Sequence, residues 1–322
     1  MASLLRAVAA STACAALAAC GARLVPASTA AAQAPESSAT QASTLLYVSD
    51  WATNDVFVYD YATRTLVTRL DGLLAPSGEC VDRKHDVWIA ELRGSEVVEY
   101  AHGGKAPIKH LRTDGYPIGC AVDVASGNLA VVNFYTKRGA GSLQIWKRAS
   151  GNPTTYAPSQ LYYLWPPAYD GAGNVVFEGE AHDGTYGASE LSRGAVHLRA
   201  LTLHGARIHY AGGTLWDGKH VAFTDQAEGN GSTAVLYRVT IAGTIATVVG
   251  RTPLDDSCHG GESDVVAPFV VRSGGTADAI VGGNLACRDR FDYWRYPAGG
   301  APTATLHDAP AEPFGGAVSE PL

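Results

Sequence analysis

Methionine occurs once in 322 residues, and charged side chains make up only 17% of the chain. So little charge leaves no room for long solvent-exposed helices laced by ion pairs. Lysine and arginine form no stripe or cluster, and the net charge is −7, which excludes nucleic acid as a natural partner. No apolar run reaches the ~18 residues that a membrane-spanning helix needs. The common catalytic signatures are missing as well. The chain has no Gly-x-Ser-x-Gly elbow, no His-Glu-x-x-His zinc helix, no phosphate loop and no dinucleotide fingerprint. No Cys-x-x-Cys occurs, so dithiol redox catalysis is not expected, and the ten histidines show no ligand spacing. What is abundant is glycine (36 residues) and tyrosine (15), within a 46% hydrophobic composition. That mixture suits a turn-dense all-β protein rather than a helical bundle.

The first residues read as an address. Met1 to Arg6 supply a short segment with one positive charge, and Val8 to Ala19 an uncharged stretch of Ala, Leu and small residues. This stretch fits the apolar region of a signal peptide. It ends in Leu17-Ala18-Ala19-Cys20, which resembles the bacterial lipobox, where cleavage precedes a cysteine that takes a diacylglycerol. The resemblance implies a lipoprotein signal peptide over 1–19 and membrane attachment through Cys20. The alternative is an ordinary secretory signal cut after an alanine such as Ala32. Residues 20–44 would form a tether, because Ala, Ser, Thr, Gln and Pro offer too little apolar surface to offset the entropy of ordering. Gly21 stands where an inner-membrane retention signal would place Asp, so the outer membrane or cell surface is the expected location.

From Leu45 a repeat emerges. Six short apolar segments end in a polar residue: Leu46–Asp50, Val87–Glu91, Leu129–Asn133, Asn174–Glu178, His220–Asp225 and Ala279–Asn284. Their end points lie 41, 42, 45, 47 and 59 residues apart, close to the roughly 40–50 residues of a four-stranded propeller blade. The last gap is lengthened by an insertion around 251–262. Alternating segments follow, such as Asp55–Tyr59, Ser95–Tyr100 and Phe291–Tyr296, and inner-strand segments precede several units. Two of these share a Pro-x-Gly start, Pro76-Ser77-Gly78 and Pro117-Ile118-Gly119, and the pattern returns at the far end as Pro313-Phe314-Gly315. The first unit has no inner strand of its own. The expectation is an all-β, six-bladed β-propeller over 45–322 whose C-terminal strand completes the first blade and removes its open edge. Seven blades, a β-sandwich pair and an open sheet are the alternatives.

Segments such as Leu46-Tyr47-Val48-Ser49-Asp50-Trp51-Ala52-Thr53-Asn54-Asp55-Val56 resemble the NHL repeat and its relatives, including the SMP-30/gluconolactonase-like propellers. The resemblance speaks for architecture and much less for activity, since these folds host hydrolases, lyases and binding modules. It implies one divalent cation, such as Ca²⁺, held in a central channel by Glu, Asn and Asp. Glu79, Asn133 and Asp225 offer those residue types, and carboxylate and amide oxygens suit a hard cation. The motifs that surround the ligands in that family are not evident here.

Apart from Cys14 and Cys20, the cysteines are Cys80, Cys120, Cys258 and Cys287, which allow three pairings. Cys80 and Cys120 fall in inner strands of adjacent units, and Cys258 and Cys287 share the last unit, so these two pairings are expected in an exported chain. Two buried free thiols are the alternative for Cys80 and Cys120.

The six strand ends Asp50, Glu91, Asn133, Glu178, Asp225 and Asn284 would share one rim of the ring, with Glu79 and Glu180 near the same mouth. Turn-capping is the leading role for such side chains, ahead of ion or ligand binding. His259 and Glu262 sit in the densest polar insertion, beside Cys258, and Glu180-Ala181-His182-Asp183 forms a second polar loop. Trp51, Tyr135, Tyr162, Tyr163 and Trp165 would line a sugar or peptide site or else pack between blades. Two functions follow. The first is a membrane-anchored binding or scaffold module without catalysis, taking a protein or small-molecule ligand at the propeller mouth. The second is a metal-dependent lactonase or hydrolase.

Overall fold

A computed structural model describes residues 43–229, 233–255, 263–273, 276–288, 290–306 and 310–322. The described residues are organised almost entirely as β-strands, with a single 3-10 turn at Lys147–Ala149 as the helical element. Alternating apolar side chains and closely spaced Asp, Asn and Gly turns account for this.

Four sheets have four strands each. The first joins Leu45–Asp50 (β1), Asp55–Asp60 (β2) and Leu66–Leu70 (β3) to the distant Pro313–Ser319 (β25). The second contains Pro76–Val81 (β4), Val87–Glu91 (β5), Glu96–Tyr100 (β6) and Pro107–Arg112 (β7). The third contains Gly115–Val122 (β8), Leu129–Thr136 (β9), Ser142–Trp146 (β10) and Thr154–Tyr156 (β11). The last is built from Val265–Ser273 (β21), Thr276–Asn284 (β22), Phe291–Arg295 (β23) and Ala304–Leu306 (β24). Between them lies one nine-stranded sheet. One half is Tyr163–Leu164 (β12), Ala168–Tyr169 (β13), Val175–Glu180 (β14), Tyr186–Leu191 (β15) and Arg199–His204 (β16). The other half is Ala211–Trp216 (β17), Val221–Asp225 (β18), Ala234–Ala242 (β19) and Ile245–Leu254 (β20).

The sheets take a propeller-like arrangement, but six separate sheets do not appear. The outer strands β16 and β20 pair in parallel through Thr202↔Ile245, Leu203↔Ala246 and His204↔Thr247, which fuses two repeats into one sheet. Outer strands carry unused hydrogen-bonding edges, and these two satisfy each other. Residues 251–254, expected within an insertion, belong to β20.

Closure by the C-terminal strand is observed. β25 runs antiparallel to β1 with Leu45↔Ser319, Leu46↔Val318, Tyr47↔Ala317 and Val48↔Gly316 in register. The strand is then tied to the second sheet. Ser319 Oγ donates to the His85 carbonyl at 2.6 Å and therefore accepts from His102 Nδ1 at 2.7 Å.

The Pro-x-Gly starts have a steric cause. A Cβ added to Gly315 would lie 2.9 Å from the Gly78 Cα, one on Gly78 would lie 2.8 Å from the Ile118 carbonyl oxygen, and one on Gly119 would lie 2.8 Å from Pro166. Each inner strand approaches the next too closely for any side chain at that point. Ser77 adds a polar tie across the same seam, its hydroxyl lying 3.1 Å from the Pro117 carbonyl and 3.1 Å from that of Ala90. The expected Cys80–Cys120 disulfide links β4 to β8. Cys287 is also disulfide-bonded, whereas Cys258 lies outside the described residues, as do Cys20, His259 and Glu262.

Gly78→Ala should lower the unfolding free energy by about 1–3 kcal/mol through overpacking of backbone against backbone. Replacing Cys80 and Cys120 together by Ser, which opens a crosslink across 40 residues, should cost about 2–4 kcal/mol. Chemical denaturation of each variant against the parent measures both effects.

Candidate binding face and strand-end polar ring

The six strand-end residues are all buried: Asp50, Asn133, Glu178, Asp225 and Asn284 are at most 1% exposed and Glu91 is 7% exposed. Most of them hold the segment that leads into the inner strand of their own unit. Asp50 Oδ1 accepts the Glu312 N–H at 3.0 Å, just ahead of β25. Glu91 Oε2 accepts the Leu74 N–H at 3.0 Å, ahead of β4. Asp225 accepts from His209 N and Tyr210 N, both at 3.1 Å, ahead of β17. Asn284 Oδ1 accepts the Asp264 N–H at 3.1 Å, ahead of β21. Asn133 reaches the corresponding segment through a side chain, donating to Asp114 Oδ1 at 3.0 Å. Burying a backbone donor without a partner is expensive, and these side chains supply the partners.

Glu178 behaves differently. Its Oε1 accepts three buried N–H groups, from Gly212 at 3.2 Å, Gly213 at 2.7 Å and Thr224 at 3.1 Å, and Glu180 accepts that of Ala211 at 3.1 Å. The two glutamates thereby hold β17 of the following unit. Burial drives the Glu178 carboxyl well above the usual carboxylate range, against the opposing pull of the three N–H groups. Glu79 is raised in the same way by burial, although the Ser49 hydroxyl donates to it.

Glu79, Asn133 and Asp225 thus each have their own neighbours: Ser49 for Glu79, Asp114, Ser142 and Gln144 for Asn133, and the 209–210 backbone for Asp225. Among the described residues, the Asp, Glu, His and Cys side chains that gather as a trio within 4.8 Å are Asp82, Asp86 and Glu99. Those are occupied too: Asp82 accepts the Lys84 and Asp86 N–H groups, and Glu99 pairs with Lys109 at 3.5 Å. A cavity of about 580 Å³ is lined by residues of β4, β8, β13, β17, β21 and β25, among them Gly78, Cys120, Ala168, Thr214, Phe269 and Gly316.

The face at which the second strands end is apolar at its centre. Trp51, Leu92, Phe134 and Leu285 each follow a strand-end polar residue by one position and pack on Ile118, Val266, Ala267 and Phe314. Trp51 stacks on Phe314 with ring centroids 4.4 Å apart. From there an aromatic belt spreads over the third and fourth repeats. Tyr116 and Tyr135 are 4.5 Å apart, Phe134 and Tyr163 5.0 Å, Phe134 and Trp165 5.4 Å, Tyr162 and Tyr163 4.8 Å, and Tyr162 and His182 4.8 Å. Tyr135 is 37% exposed, and the other tyrosines of the belt are half-buried. Partial burial raises the Tyr135 hydroxyl, with Tyr116, Tyr163 and Tyr162 adding to the rise and Arg93 opposing it. Side chains from three repeats therefore converge there. The sequence pointed to Trp51, Tyr135, Tyr162, Tyr163 and Trp165. Tyr116, Phe134 and Arg93 were missed, although each lies one or two residues from a strand-end polar group or an inner-strand Pro-x-Gly.

Glu178→Ala should cost about 3 kcal/mol or more, since three buried N–H groups lose their acceptor. Glu178→Gln keeps an acceptor oxygen. The raised carboxyl stabilises the fold fully below about 4.5 and loses that contribution as pH rises through its folded value. The stability of Glu178→Gln relative to the parent should therefore increase with pH, as thermal melts across a pH series would read.

No protein-family profile matches the sequence, and no curated protein is significantly similar to it. Solved structures are similar in shape. A chain of the nidogen/laminin complex matches with a TM-score of 0.65 at 13% identity, covering 86% of this chain and 99% of that one. Hydrazine synthase from Kuenenia stuttgartiensis matches with a TM-score of 0.57 at 14% identity, covering 78% and 73%. A protein of unknown function from Desulfotomaculum acetoxidans DSM 771 matches at 0.55 and 9% identity, covering 87% and 100%. At such identities the likeness is one of fold alone, and the fold is that of a β-propeller.

Proposed function

We propose that the chain is an exported, lipid-anchored β-propeller of six blades that binds a partner through its aromatic face and performs no catalysis. The blade count treats the nine-stranded sheet as two blades joined at their outer strands. Six inner segments around one cavity support that count. The observation behind the binding role is the convergence of Tyr116, Tyr135, Tyr162 and Tyr163 on one exposed face. Tyrosine supplies large contact area with few rotors and dominates interface hot spots. The strand-end carboxylates are committed to backbone donors inside the ring, which leaves the surface for recognition.

Ser43 leads into β1 at the end where Leu45 pairs with Ser319, and β1 runs from there to Asp50 beside Trp51. Residue 43 therefore lies at the end of β1 opposite Trp51. The nidogen/laminin neighbour is a propeller-like chain in a protein complex, which agrees with a binding role. For the lactonase-type reading, Asp225 would have to turn from the 209–210 backbone to a cation, whereas Glu79 Oε2 and Asn133 Oδ1 are buried without a hydrogen-bond partner among the described residues.

The full chain, solubilised in detergent and immobilised, should retain an envelope component that a Tyr135→Ala/Tyr163→Ala variant retains at least about tenfold less well, as expected for loss of two hot-spot side chains. The variant should melt like the parent. Equal retention by both proteins, or Ca²⁺-dependent lactone hydrolysis that Glu79→Gln abolishes, would overturn the proposal.

A further inference from the structure

The aromatic belt is bordered by cations without ion-pair partners. Arg93 follows β5 and lies within electrostatic reach of the Tyr135 hydroxyl. Lys137 and Arg138 stand in the turn that follows Tyr135 by two and three residues. All three are exposed, and none forms an ion pair among the described residues. Of the acids nearby, Glu96 forms ion pairs with Arg112 and His110 at 3.5 and 3.3 Å, whereas Asp114 and Glu91 accept from neutral donors, Asn133 and Ser142 for Asp114 and the Leu74 N–H for Glu91. The belt thus carries three exposed cations beside its tyrosines, together with the exposed Asp114 and with Asp183, which follows the His182 ring packed on Tyr162.

The relief of the belt bears on what fits it. Tyr135 and Tyr163 meet at 89°, Tyr162 and Tyr163 at 72°, and Phe134 and Trp165 at 71°. Phe134 and Tyr163 lie nearer to parallel, at 29°, and Tyr116 and Tyr135 meet at 37°, so the belt is a relief of differently tilted rings rather than one flat platform. Nucleobases stack on open ring faces, whereas a relief of tilted rings suits individual side chains. The hydroxyls of Tyr116, Tyr135, Tyr162 and Tyr163 have no hydrogen bond to another described residue and are open to polar groups of a ligand.

Building on the binding role assigned above, we infer that the partner is an acidic polypeptide segment, its carboxylates paired with Arg93, Lys137 and Arg138 and its apolar side chains set between Tyr135, Tyr162 and Tyr163. Charge of this kind steers association and makes it sensitive to salt.

The test is fluorescence anisotropy of the full chain in detergent with a labelled random copolymer of glutamate and tyrosine, and with polygalacturonate and a lysine–tyrosine copolymer as comparisons. The acidic copolymer should bind, lose affinity as salt rises, and bind about tenfold or more weakly to an Arg93→Glu/Lys137→Glu/Arg138→Glu variant and to Tyr135→Ala/Tyr163→Ala. Arg93→Gln alone should produce an intermediate loss. All these positions are exposed or half-buried, so each variant should melt like the parent, as thermal melts would read. Failure of the acidic copolymer to bind, unchanged binding by the charge-reversed variant, or tighter binding of polygalacturonate, which would mark an anionic glycan site, overturns the inference. The two proposals separate cleanly. An envelope partner lost in the tyrosine variant but retained by the charge-reversed one removes the acidic segment and leaves the binding role standing.

Discussion

The inner strands approach one another around the axis so closely that no Cβ fits at Gly78, Gly119 or Gly315. This contact sets the curvature of the ring. Because Gly315 lies on the C-terminal strand and meets Gly78 on β4, the same approach that packs neighbouring repeats also seats the strand that closes the circle. The polar ties lie along these seams: Ser77 to Pro117, Ser49 to Glu79, Glu178 to Gly212 and Gly213, and the disulfide between Cys80 and Cys120. A buried polar group left unpaired is costly, and these ties supply partners at the seams, with Glu79 Oε2 and Glu178 Oε2 left over.

That requirement explains what became of the acidic ring. A polar side chain at the end of each second strand is repeated because each repeat poses the same problem, a chain segment descending into the core with unsatisfied N–H groups. Asp50, Glu91, Asp225 and Asn284 solve it with oxygen atoms, and Asn133 solves it through Asp114. Equivalent chemistry in every repeat is the mark of a structural duty. The repeats differ elsewhere: the belt of Tyr116, Tyr135, Tyr162 and Tyr163 belongs to the third and fourth repeats, near Arg93, Lys137 and Arg138, which form no ion pair among the described residues.

The opposite ends of β1 lie in different surroundings. At one end the strand pairs with Ser319, whose hydroxyl bonds to His85 and His102. At the other it delivers Asp50 and Trp51, which stacks on Phe314.

Much of this was legible in the residues. Strand alternation, the 41–47-residue spacing of the first five strand ends, the returning Pro-x-Gly of Pro313-Phe314-Gly315 and the pairing of Cys80 with Cys120 all follow from local pattern, because a strand's two faces and a blade's length are written in consecutive side chains. Three features were decided only by the tertiary structure. The fusion of β16 with β20 depends on how two outer edges, more than forty residues apart in the chain, happen to meet. Whether Glu178 faces water or three backbone donors depends on a neighbouring repeat. The belt of Tyr116, Tyr135 and Tyr163 exists because separate repeats bring distant rings within 4.5–6.5 Å. Composition and spacing report what each segment prefers. Only the tertiary structure determines which segments become neighbours, and the aromatic face is made of neighbours.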